Sequence, residues 1–274
     1  LLVAEGYMRP EEHNPVVLGN ELGSTLHTPW ATGMHHLALF QHRGGKWHLR
    51  IGDSGGSGLV SVHDGGSISS EGAGIGQNGG SGYLNLVNQA TANLYDPAPN
   101  KGGGVSVGWA AGNGRLDARG DSTLRTSGMG IGTDGGTGQA YLENSQILLV
   151  NVPADPAVPT SVTSFAFMGI GMQGGSGNLS MSGTSRIESR GFEIGGNGGS
   201  GYVNMFGGTI ALQFALAGET FRGNLTVGNN GGSGSLDTNG GARIERGRFF
   251  NVGSNAGNGR MTAFQTTIAL VSGV

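Results

Sequence analysis

The stretch IGQNGGSGYLNL, residues 75–86, decides how this chain is read. Glycines at such density can cradle a phosphate, ring a calcium ion or turn the corner of a repeating scaffold. Recurrence selects among the three. The phrase is h-G-x-x-G/A-G-S/T/N-G-x-h, where h is apolar. It occurs as IGDSGGSGLV (51–60), IGQNGGSGYL (75–84), VGWAAGNGRL (107–116) and IGTDGGTGQA (131–140). It returns as IGMQGGSGNL (170–179), IGGNGGSGYV (194–203), VGNNGGSGSL (227–236) and VGSNAGNGRM (252–261). LGNELGSTL (18–26) reads as a frayed ninth copy.

Copy starts are spaced 24, 32, 24, 39, 24, 33 and 25 residues, so short and long steps alternate. The extra residues fall after even copies and include YDPAPNKGGG (95–104) and VNVPADPAVPTSVTS (150–164). Their prolines mark them as surface loops. Loops recurring at one place in a repeat emerge along one side of it.

Behind the glycines the chain alternates with the period-two signature of a half-buried strand. The inward pairs are read as Leu59 and Ser61, Leu84 and Leu86, Leu116 and Ala118, Leu179 and Met181, and Val203 and Met205. A turn such as SGTS (182–185) or NGGA (239–242) follows. A second strand is centred on Ile68, Leu124, Ile187 or Ile244, each 17 residues after the opening Ile or Val of its copy. The Ile or Val of the next "IG" adds a third inward position. Three short strands per roughly 24 residues predict an all-β, single-stranded parallel β-helix, a β-solenoid of about nine coils. Loop inserts follow alternate coils, and right-handed winding is expected from the handedness of β-crossovers. Residues 1–17 are expected to form an N-terminal strand or linker, a candidate donor strand. Residues 18–50 make a degenerate first coil and a His-rich capping hairpin, and 51–274 the solenoid repeats.

The ligand-binding readings fail on their own requirements. A phosphate loop needs Lys-Ser/Thr after the glycines and a helix behind them. Calcium-binding nonapeptide rolls need Asp two residues after the last glycine. That position holds Val60, Leu84, Leu116, Ala140, Leu179, Val203, Leu236 and Met261, all apolar. The glycines are therefore read as corner residues. Asn78, Asn197, Asn230 and Asn255 share one corner register, where stacked Asn side chains can hydrogen-bond in a ladder.

Composition bounds the rest. The 274 residues include 58 glycines and no cysteine, which excludes disulfides and thiolate chemistry. A net charge of −3 with 12% charged residues argues against nucleic acid, and no apolar run reaches transmembrane length. The opening LLVAEGYM lacks an initiator methionine and reads as a processed or partial chain.

A consensus IGNNGGSGxLxV, then GG, then I, resembles the glycine-rich repeats of bacterial type V secretion (autotransporter) passengers and PEP-CTERM-associated surface proteins over roughly residues 51–270. The resemblance implies an extracellular β-solenoid used for adhesion or surface architecture, with no catalytic residues and no cofactor.

Smaller signals sit outside the repeat logic. HHLALFQHRGGKWHL carries His42 and His48 on either side of an RGGK hairpin turn. They are candidates for a zinc or copper site if the hairpin brings them together. The plainer reading is a polar hairpin over the solenoid's open end. Arg119, Gly120 and Asp121 form the tripeptide that integrin ligands present, on a predicted turn, although other turns there are equally polar. Arg186, Glu188, Arg243 and Glu245 flank inward isoleucines and should point outward as a solvated, charge-paired face. The expected function is structural: a subunit of a surface fibre, filament or sheath, or an adhesin. It would be extracellular or cell-surface and assemble with itself head to tail, with surface polysaccharide as a further partner. The open, uncapped-looking MTAFQTTIALVSGV and the strand-like LLVAEGYM motivate that assembly. The alternative is a polysaccharide-active enzyme or carbohydrate-binding protein on the same fold.

Overall fold

The structure is a computed structural model that describes residues 38–43, 46–96, 103–150, 152–155, 158–164, 166–212 and 223–270. The frayed copy at 18–26 and the segment 1–17 lie outside them. Every described element is a β-strand.

The strands form three parallel ladders in which each rung advances one copy of the phrase. In the first ladder Ile51, Ile75, Val107, Ile131, Ile170, Ile194, Val227 and Val252 pair in succession. In the second, Val60 pairs with Leu84, then Leu116, Ala140, Leu179, Val203, Leu236 and Met261 follow. In the third, the order is Ile68, Ala92, Leu124, Ile147, Ile187, Ile210, Ile244 and Ile268. The second and third ladders join into one sheet because Ser176–Ser189 and Ser200–Leu212 run continuously through the bend between them. The expected SGTS turn is therefore a register shift within a strand, between Gly183 and Arg186. Parallel pairing of strands one repeat apart is the β-solenoid class of architecture.

Alternation puts two apolar columns from each of the first and second ladders, and at least one from the third, into a thin shared core. Ile75, Ile131, Leu84, Leu116, Leu124 and Ile187 are fully buried within it. Each such side chain stabilises the fold by about 1.5–3 kcal/mol through the area it removes from water. The first copy corrects the sequence reading. Leu59 pairs with Tyr83 and Ser61 with Asn85, while Val60 and Val62 are buried. Leu59 and Val60 are both apolar, so alternation alone has two phases there. The ladder with Leu84 and Leu86 selects one.

The phrase itself is a type I′ turn with steric locks around it. The Gly80 amide donates to the Gln77 carbonyl at 2.8 Å, and Asn78 and Gly79 have φ of 49° and 76°. Type I′ needs positive φ at both central positions, which is why Asn-Gly recurs there. A Cβ on Gly76 would overlap the Asn113 carbonyl of the next repeat, and one on Gly82 the Ile51 carbonyl of the previous one. A Cβ on Gly79 would meet nothing. Alanine replaces glycine at that one open position, as Ala111 and Ala256.

All three inserts leave at one corner, between a third-ladder strand and the next first-ladder strand. Thr91–Leu94 leads to Val105–Trp109, Gln146–Leu149 to Phe167–Met172, and Ser200–Leu212 to Asn224–Asn229. The middle insert carries an antiparallel pair, Val152–Asp155 with Val158–Ser164. At the other end Ala38–Arg43 adds antiparallel to Lys46–Asp53, at the edge of the first ladder.

Candidate binding surface on the Ser-Gly ladder

The second ladder offers the most chemically varied outer face. Between the buried residues of each strand, four positions point outward. Those in the third repeat are Asn113, Arg115, Asp117 and Arg119, on the strand Asn113–Arg119. One rung away on either side stand Tyr83 and Gln139 against Arg115, and Tyr141 against Asp117.

Asp117 is the hub. It is only 1% exposed, whereas Arg115 and Arg119 are 51% and 46% exposed. Arg115 donates to both carboxylate oxygens, at 2.9 and 2.8 Å, Arg119 adds a bond of 3.1 Å, and the Tyr83 hydroxyl donates at 2.8 Å. Burial pushes the Asp117 carboxyl up, but the bonds from Arg115 and Tyr83 and the charges of both arginines outweigh it. They hold it below its ordinary value. Burial, then the bond to Asp117, pushes the Tyr83 hydroxyl up. The Arg115 guanidinium lies 5.2 Å from the Tyr83 ring centre and that of Arg119 5.0 Å from Tyr141, so cation–π contacts tie three repeats together. With both oxygens occupied by donors, Asp117 is built to lock side chains rather than to move protons.

The same relationship recurs four repeats on. The Tyr202 hydroxyl donates to Asp237 at 3.0 Å, and burial followed by that bond raises its pKa. Arg260 stands two rungs beyond Tyr202 in the same column. Beside each tyrosine an open gutter runs across the strands. One, of about 570 Å³, spans Ser57 to Gln139, and the other, of about 390 Å³, spans Ser200 to Arg260.

The residues singled out by sequence fall as follows. The corner asparagines all have positive φ, but they do not form one ladder. Asn230 donates to Asn197 at 3.0 Å, Asn255 turns to Asn229 at 3.1 Å, and Asn78 donates to Asp53 at 2.8 Å. Ala110, Asp134 and Gln173 occupy the corner in the repeats between Asn78 and Asn197 and interrupt the row. His42 pairs with Trp47 and His48 with Gln41, so the hairpin sets the two histidines on adjacent rungs rather than opposite one another. Among the described residues no group of three or more His, Asp or Glu is placed to hold a metal. Gly120 and Asp121 sit at a bend with φ of 64° and 62°, while the Arg119 side chain is drawn onto Asp117 and Tyr141. The charged pairs on the third ladder form as expected. Arg186 meets Glu188 at 2.7 Å and, two repeats on, Glu245 at 3.7 Å, and Arg243 meets Glu245 at 2.9 Å.

The sequence reading did not single out Asp117 and missed the hub. The signal was present. Tyr83 and Tyr202 each lie eight residues after their opening Ile, and Asp117 and Asp237 ten residues after the next opening Val. Compared with known proteins, the chain matches no family model, no curated protein and no solved structure, so its reading rests on its own geometry.

Proposed function

We propose that this chain is a structural protein of the cell surface or extracellular space, a fibre or sheath subunit or an adhesin. In this reading it winds as a single-stranded, right-handed parallel β-helix of about nine coils of roughly 24 residues, with inserts after alternate coils. Right-handed winding follows the general handedness of β-crossovers. The observation that carries the reading is the placement of the phrase glycines. Gly76, Gly82 and their equivalents stand where a neighbouring repeat leaves no room for a side chain. Glycines used for stacking serve a rigid rod, and a rod's value lies in the faces and ends it presents.

Self-association is part of the proposal. Among the described residues nothing covers the repeat at 249–270, and Val252, Ile268 and Leu270 are 43%, 39% and 54% exposed. Val252 and Ile268 continue columns that are buried in every earlier repeat. A second copy stacking there would extend all three ladders through a heterologous contact that need not close into a ring. Negative-stain imaging of the purified chain tests this. Filaments that lengthen with concentration and disappear in a Val252→Lys, Ile268→Lys variant of unchanged circular dichroism support it. A parent that stays monomeric at high concentration overturns it.

A further inference from the structure

We infer that the two gutters on the second ladder bind a glycan chain laid along the stacking direction. This goes beyond the structural role and stands on different observations. The first is a polar floor. The position before the strand glycine is Ser, Thr or Asn in all eight repeats, from Ser57 and Ser81 to Ser233 and Asn258, and it is exposed in each. Among the described residues, the side chains of Ser81, Asn113, Thr137 and Ser200 have no hydrogen-bond partner. They are donors and acceptors repeated at the ladder spacing of about 4.8 Å.

The second observation is a rigid wall. Tyr83 is held by its bond to Asp117 and its stack with Arg115, and Tyr202 by its bond to Asp237. Side chains fixed before a ligand arrives lose little freedom on binding it. The third is duplication. The two tyrosine–aspartate pairs stand four rungs apart, about 19 Å at the ladder spacing, so one extended polymer can engage both.

Sugar rings match this arrangement. They carry hydroxyls at a regular interval along an extended chain for the Ser, Asn and Thr side chains. Their C–H faces suit the tyrosines. A polypeptide strand fits less well, because it would need backbone partners and the gutter's backbone is already paired in the ladders. The exposed part of the Arg115 guanidinium adds reach to hydroxyl or carboxylate oxygens.

Affinity electrophoresis of the full chain tests the inference, in gels containing a neutral polysaccharide (hydroxyethylcellulose) or an acidic one (alginate). Retardation in either gel is expected, and which gel retards assigns the charge class. The Tyr83→Ala, Tyr202→Ala double variant should bind at least about tenfold more weakly, since it loses both linked sites. Where that variant melts early, Ser81→Leu with Ser233→Leu fills the gutters and leaves the tyrosine–aspartate bonds intact. It should lose binding equally. Arg243→Ala, on the third ladder, should bind as the parent does. No retardation in either gel, or full retardation of a folded gutter-filled variant, overturns the inference. Either result leaves the filament test unaffected.

Discussion

Tyr83 donates a hydrogen bond of 2.8 Å to Asp117 across the boundary between two repeats, and Tyr202 does the same to Asp237 at 3.0 Å. Each bond joins a position three residues into a strand with the fifth position of the next strand. The ladder alone already aligns those strands. The side-chain bond adds a lock that only the correct register satisfies, because a slip of one residue turns the partner on the slipped strand to the opposite face.

Tyr83→Phe removes that lock and keeps the ring over which Arg115 stacks. The expected loss is about 1.5–3 kcal/mol, the range for a hydrogen bond to a charged group. Denaturant titration measures it. In a double-mutant cycle with Asp117→Asn the two losses should fall short of additivity, as partners in one bond do.

Stability should fall in acid through Asp117. Its folded pKa lies below the ordinary value of 3.8, so its stabilising contribution is complete above that value. The contribution disappears as pH falls through the lower folded value. Melting curves between pH 7 and pH 2 should therefore drop mainly below about pH 4. In Asp117→Asn the drop should be shallower and start from a lower plateau. An identical pH profile in the variant would remove Asp117 from the account.

The glycines of the phrase should separate into two classes. Gly79→Ala meets no atom and costs about 1–2 kcal/mol for a left-handed conformation alone. Gly82→Ala drives a Cβ into the Ile51 carbonyl and should cost more than about 4 kcal/mol, among the largest single-residue effects. The converse change, Ala111→Gly at φ 61°, should stabilise by about 1 kcal/mol. Chemical denaturation of the three variants measures the sign and size of each change.

Leu179→Asp should unfold the chain or lower its melting temperature sharply. Leu179 is fully buried between Ala140 and Val203 in the second ladder, where a carboxylate has no partner. Asn178→Asp, its exposed neighbour, should melt within about 0.5 kcal/mol of the parent. Equal effects at the two positions would reverse the assignment of faces.

Much of this molecule is legible in one dimension because the repeat projects each ladder onto the sequence. The starts at 51, 75, 107 and 131 are the rungs of the first ladder, and the glycine that varies to alanine is the one with open space beside it. Period-two alternation carries the inward columns wherever one neighbour is polar. At Leu59 and Val60 both are apolar, and only pairing with Tyr83 and Leu84 settles the phase.

What the sequence determined by itself is therefore the repeat, its all-β character and the positions where only glycine fits. These are local consequences of turn geometry and strand alternation, repeated until they are unambiguous. What only the tertiary structure decided is which outward side chains meet. Asp117 lies 34 residues from Tyr83, and stacking places it within one hydrogen bond. Asn255 turns to Asn229 rather than to the asparagine of its own column. His42 and His48 flank a turn yet fall on adjacent rungs. Such choices depend on a register spacing of about 4.8 Å between strands and on the reach of each side chain, and neither is a property of a residue's neighbours along the chain.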